Sequence, residues 1–94
     1  MTTKYRVHEK NTGRTIALVY FTPDPNYPSQ IIATITPLTY NSTPDGTELV
    51  ASVIKYQSFP FGTSEDDMVK SLLGTIGVTA DDLEHRIGYA KAPA

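Results

Sequence analysis

Two histidines, His8 and His85, and no cysteine make up the soft or nucleophilic side chains of this 94-residue chain. Without cysteine there are no disulfides, no thiolate metal sites and no cysteine nucleophile. One cluster has metal-ligand spacing. Asp81 and His85 stand four apart, one helical turn, with Glu84 beside them, and such a trio can hold a cation. No second histidine has a matching position, because His8 belongs to an N-terminal strand. Asp82 and Arg86 repeat the same spacing, so ion pairs on a helix surface are the simpler reading. Catalysis needs a nucleophile with its base, or two carboxylates in different environments. Scattered surface acids supply neither, and no glycine-rich phosphate loop is present. The chain is expected to be no enzyme and to hold no cofactor and no metal.

Charge is the next resource. The net charge of −2 conceals an asymmetry. Residues 1–14 carry Lys4, Arg6, Lys10 and Arg14 against Glu9, a balance of +3. Residues 62–88 carry Glu65, Asp66, Asp67, Asp81, Asp82 and Glu84 against Lys70 and Arg86, a balance of −4. Acids suit the N-terminal turns of helices, and lysines on an outer strand discourage edge-to-edge aggregation. The basic set also forms a surface for an anionic partner. Six tyrosines (Tyr5, Tyr20, Tyr27, Tyr40, Tyr56, Tyr89) and no tryptophan supply the aromatic contact area. Tyrosine is an ordinary strand former, but with arginine it is also enriched in binding patches. Basic and aromatic side chains interleaved on one face can stack and neutralise single-stranded RNA. The interface expected from sequence is Lys4, Arg6, His8, Lys10 and Arg14, with Tyr20, Tyr27, Tyr40 and Tyr56.

Strands must position these residues. Lys4–Lys10 alternates, with Tyr5 and Val7 on one face and Lys4, Arg6, His8 and Lys10 on the other, as a half-buried strand does. Asn11–Arg14 is a turn with Gly13 available for positive φ. Thr15–Phe21 is apolar on both faces: Ile16, Leu18 and Tyr20 against Ala17, Val19 and Phe21. Such runs belong to central strands covered above and below. Thr22–Ser29 has three prolines and reads as a stiff loop with Tyr27 near its tip. Gln30–Tyr40 is a third strand whose Pro37 marks an edge or a bulge. Asn41–Thr47 contains a Pro-Asp-Gly turn, and Glu48–Phe59 is the fourth strand.

Then the period changes. Val69, Leu72, Leu73 and Ile76 form one stripe of a helix, opened by Ser64 with Asp67 at capping-box spacing and ended by Gly77. Thr79 with Asp82 opens a second helix, Val78 and Leu83 have the spacing of a hydrophobic staple, Leu83 and Ile87 face the core, and Gly88 stops it. The tail from Tyr89 to Ala94 is expected to fray. Strands followed by helices give one α+β domain over residues 1–94: a four-stranded antiparallel sheet with two short C-terminal helices on one face. A chain this small buries only ~60–65% of its unfolded surface. Two helices cover one face of the sheet, so the other is left for solvent or a partner.

Leu73–Leu83 resembles the helix–GVT–helix core of helix-turn-helix proteins over about twenty residues. That family's second helix enters the major groove; here it carries Asp81, Asp82 and Glu84, which repel phosphate. As a whole the chain resembles small phage-encoded anti-CRISPR proteins in size, lack of cysteine, strand-then-helix order and absence of a catalytic motif. The resemblance covers the full length and carries over no residue. It implies a non-enzymatic inhibitor that occupies a site on a larger nucleic-acid-handling protein complex, with or without RNA in it. A structural or self-assembling protein, a homodimer included, is the alternative. No charged leader precedes an apolar run and no apolar stretch approaches ~18 residues, so a soluble protein of the cytoplasm with no membrane partner is expected.

Overall fold

In the computed structural model, residues 4–44, 46–51 and 53–92 are described, with side chains described outside 40–43 and 46–51. The strands are β1 (Tyr5–Glu9), β2 (Thr15–Pro23), β3 (Gln30–Thr43), β4 (Gly46–Ala51), β5 (Lys55–Pro60) and β6 (Ile87–Lys91). The helices α1 (Glu65–Thr75) and α2 (Ala80–His85) stand between β5 and β6. All pairings among the described strands are antiparallel, in the order β4-β3-β2-β1-β6, and β5 also pairs with β3. The protein is therefore α+β, with an antiparallel sheet five strands wide.

The width differs from the four strands expected, for two reasons. The stretch Glu48–Phe59 is two strands in line. β4 pairs with the C-terminal half of β3 from Leu38↔Ala51, and β5 with its N-terminal half from Ile35↔Lys55. Between these ladders β3 has two residues, Thr36 and Pro37, against three on the opposing chain. One extra residue is a bulge, and it falls beside the proline, which has no amide to donate. Second, the described start of the tail, Tyr89 to Lys91, is strand. Residues 87–91 form β6 on the outer side of β1, with Val7 opposite Tyr89 and Arg6 opposite Ala90. β1 is thus interior, not the basic edge expected. Gly88 does not stop a helix either; α2 ends at His85 and Gly88 lies within β6.

A second bulge settles how β2 can be apolar on both sides. The register slips between Val7 and His8, so that Val7 faces Ala17 but His8 faces Thr15. Ile16 consequently packs toward the helix-side core with Ala17, Val19 and Phe21, instead of sharing a face with Leu18 and Tyr20.

That core is Val7, Ala17, Val19, Ala33 and Ile35 from the strands, closed by Met68, Val69, Leu72 and Leu73 of α1. Each fully buried valine, leucine, isoleucine or methionine side chain contributes about 1.5–3 kcal/mol. The helix starts and stops by its own chemistry. The Ser64 hydroxyl accepts from the Asp67 amide. At the other end Val78 N–H donates to the Leu73 carbonyl and Gly77 N–H to that of Gly74, with Gly77 at φ 85°. These two bonds and the positive φ are the Schellman stop that the glycine allows. In α2 the Thr79 hydroxyl accepts from the Asp82 amide while the Asp82 carboxylate accepts from the Thr79 amide, the reciprocal cap the spacing predicts.

Candidate functional site

Residues opposite each other in antiparallel strands share a face, so the register lays out the side of the sheet away from α1. One row runs Ala90, Arg6, Leu18, Thr36. The next holds Tyr20, Thr34 and Tyr56, with Lys4 beside Tyr20 at the start of β1. A third is Thr22, Ile32, Ser58. His8 lies opposite Gly88. Both helices are on the other side, packed on β3, β5 and β6. Leu18, Tyr20, Ile32 and Thr34 are half-buried here, Arg6 and Lys4 are exposed, and Tyr56 is 72% exposed. Val53 and Ile54, at the break between β4 and β5, are exposed beside this face.

The centre of this face is preorganised. The Tyr20 hydroxyl and the Thr36 hydroxyl are 3.2 Å apart and hydrogen-bonded, which fixes the tyrosine ring along the sheet. Small residues flank it on β6. A Cβ added to Gly88 would stand 3.0 Å from His8 Nε2 and 3.6 Å from Lys10 Cε, so the glycine gives both side chains room to cross β6.

The basic residues expected to act together divide. Lys10 Nζ donates to the carbonyls of Leu83 and Glu84, at 2.9 and 3.0 Å. It caps the C-terminal turn of α2, where unsatisfied carbonyls attract a cation. Arg14 pairs with Glu9, Nε to Oε1 at 2.9 Å. Both members of the expected stripe are thus engaged within the chain. The side chains of Lys4 and Arg6 have no hydrogen-bond or ion-pair partner among the described residues, and the two stand at alternate positions of one face, roughly 7 Å apart. The tyrosines divide too. Tyr20 and Tyr56 are on the open face; Tyr27 stands out from the proline-rich loop at 65% exposure; the side chain of Tyr40 lies outside the described residues. Sequence reasoning did not see that Leu18, Ile32 and Thr34 form the middle of the patch. The signal was there in the second parity of β2 and β3.

The acids are on the helix side, and half of them are engaged. Tyr5 donates to Glu65 at 2.9 Å. Tyr89 donates to Asp66, which also holds Lys70 at 3.0 Å. These bonds hold the Asp66 carboxyl below its usual range, the Tyr89 hydroxyl contributing most and Lys70 next. Burial, then the Asp66 carboxylate, push the Tyr89 hydroxyl up to about 12. Asp82 is lowered first by Arg86 and then by the Thr79 amide. Asp81, Glu84 and His85 can bring one ligand atom each within 4.8 Å of one another, yet all three are exposed. His85 Nε2 lies 3.7 Å from each carboxylate, the geometry of loose surface pairs.

A cleft of about 300 Å³ opens between the α1–α2 connection and the β1–β2 and β6 strands, floored by Ile16, Ile76, Val78 and Ile87. Its rim charges, Glu9, Asp82 and Arg86, are already in ion pairs, which leaves little polar chemistry for a ligand. No helix among the described residues is long and apolar enough to cross a membrane. A comparison with protein-family models, curated proteins and solved structures finds no match.

Proposed function

We propose that the protein is a non-enzymatic binding protein, an inhibitor of the anti-CRISPR type, which occupies a site on a nucleic-acid-handling protein complex in the host cytoplasm. One observation carries this reading. The sheet face away from the helices presents Leu18, Tyr20, Ile32 and Tyr56 with Lys4 and Arg6 at its margin, and none of the described strand residues on it is acidic. Aromatic and aliphatic residues at the centre of a patch with arginine beside them are what protein interfaces select. The acidic alternative, in which Glu65, Asp66, Asp67, Asp81, Asp82 and Glu84 imitate phosphates, has less support. Glu65, Asp66 and Asp82 are held by Tyr5, Tyr89 and Arg86.

The test is affinity capture from a host lysate with three proteins: the native chain, Arg6→Glu with Lys4→Glu, and Asp67→Asn with Asp81→Asn and Glu84→Gln. The proposal expects the basic-face variant to lose its captured complex and the acid-neutral variant to keep it. The reverse pattern would transfer the function to the helical side.

Self-assembly is the second reading, and one observation favours it. β3 continues past Pro37 as a ribbon paired with β4, and β4 packs substantially on no other element among the described residues. The longest dimension of the molecule is 47 Å. A two-stranded ribbon alone is marginally stable in water, and a second copy can support it. Sedimentation over a range of concentrations separates the readings: a tight homodimer unaffected by Arg6→Glu supports assembly.

A further inference from the structure

We infer that the open sheet face is built for an acidic, partly apolar segment of a protein, and not for nucleic acid; this rests on that face being the docking surface proposed above. The sign of the partner follows from charge complementarity. The face offers Lys4 and Arg6, both exposed and without a partner among the described residues, while the carboxylates of α1 and α2 are on the opposite side. A partner that brings carboxylates to β1 gains two charge-assisted contacts, and the arginine accepts a carboxylate in bidentate fashion. One that brings cations leaves both groups opposed.

Protein is favoured over nucleic acid by magnitude. Polyanion binding draws its affinity from counterions released by each neutralised phosphate, with a salt slope of about −0.7 per contact for single strands. The two cations without a side-chain partner among the described residues give a slope of about −1.4, too small to hold a strand against a protein of net charge −2. Lys10 and Arg14, which would have raised the count, are engaged with α2 and Glu9. Base stacking needs accessible rings. Here Tyr20 lies half-buried along the sheet, tied to Thr36, and Tyr56 is the other aromatic on the face among the described residues. The rest of the centre is Leu18, Ile32 and Thr34. Aliphatic side chains of a polypeptide fill that surface; bases do not. Ala90 on β6, opposite Arg6, keeps the ground beside the arginine low, while the space over Gly88 is taken by His8 and Lys10.

The experiment is a titration followed by amide NMR, with three probes: a short peptide alternating leucine and aspartate, the same peptide with lysine for aspartate, and oligouridylate. Shifts at Arg6, Leu18, Tyr20, Ile32 and Thr34 are expected with the aspartate peptide. They should weaken by about tenfold in apparent affinity, 1.4 kcal/mol, in Arg6→Glu with Lys4→Glu, and be absent with the lysine peptide. Equal or stronger shifts with oligouridylate, equal shifts with the lysine peptide, or no shifts with any probe overturn the inference. The failures are distinguishable. If the peptide leaves the face untouched while the basic-face variant still loses its captured complex, only the acidic-segment assignment falls. If capture is indifferent to that variant, the docking face itself is wrong.

Discussion

The two faces of β2 carry equally apolar side chains and do opposite things with them. On one face Ala17 and Val19 are fully buried under α1, packed with Val7, Ala33 and Ile35. On the other, Leu18 and Tyr20 remain half-buried with no helix above them. Hydrophobicity alone does not separate these roles. What separates them is the company each face keeps: α1 arrives with four buried side chains on one stripe, whereas the second face, among the described residues, meets only its own neighbours and two cations without a side-chain partner. The covered face is where stability resides, and the open face is where substitution should be tolerated by the fold and felt by a partner.

The largest expected effect breaks the covered face. Leu72→Ala should cost about 2–5 kcal/mol, because a cavity opens in a packed core, and a urea titration should show the midpoint collapse. Leu18→Ala and Ile32→Ala remove as much side chain from the open face. Each should cost about 1 kcal/mol or less, since partly exposed positions away from a packed core respond weakly. If Leu18→Ala proved as damaging as Leu72→Ala, the open face would be core.

A next, smaller effect sharpens the contrast among cations. Lys10→Ala should lower stability by about 0.3–1 kcal/mol, as loss of a cation at a helix C-terminus does, and leave partner capture intact. Arg6→Glu with Lys4→Glu should do the converse: melting temperature almost unchanged, capture lost. A third test concerns the β1–β6 seam. Gly88→Ala puts a methyl group 3.0 Å from His8 Nε2, so the imidazole must move by a few tenths of an ångström, at a cost of about 1 kcal/mol or less for a contact that is only half-buried. His8→Ala in the same chain should recover most of the loss, which a double-mutant cycle on chemical unfolding reads directly.

The smallest effects are in pH. Asp82 and Asp66 have folded pKa values below their unfolded ones. Each contributes stability that is complete above the unfolded value near 3.9 and is lost as pH falls through the folded value. Asp82→Asn should flatten the acid limb of a stability–pH curve. Tyr89 titrates the other way. Its hydroxyl is pushed up to about 12, so the native state retains a proton that the unfolded chain gives up near 10. Its contribution is complete below pH ~10 and disappears as pH rises toward 12. Tyr89→Phe should remove that alkaline loss.

Much of this was legible in the chain. Alternation, the Gly13 turn, the Ser64 and Thr79 caps and the Gly77 stop are local, and each was read from residue types at fixed spacing. The bulge near Pro37 was also marked, because proline has no amide for a ladder. What escaped was non-local. Ile87–Lys91 pairs with β1, eighty residues away in the chain, and its short IGYAK pattern has no signal until β1 is there to receive it. The slip that turns Ile16 toward the helices depends on how β1 and β2 align, which composition does not specify. At the surface, the sign of each charge was legible but its engagement was not. Lys10 and Lys4 look alike in sequence, and only the position of α2 makes one a cap, while the side chain of the other has no partner among the described residues.

Solvent protection on the captured complex tests the central claim most directly. Hydrogen exchange should slow across β1, β2 and β5, centred on Arg6, Leu18, Tyr20 and Tyr56, while the exposed faces of α1 and α2 exchange as in the free protein. Protection confined to Asp67, Asp81 and Glu84 and their neighbours, with the sheet unchanged, would contradict it.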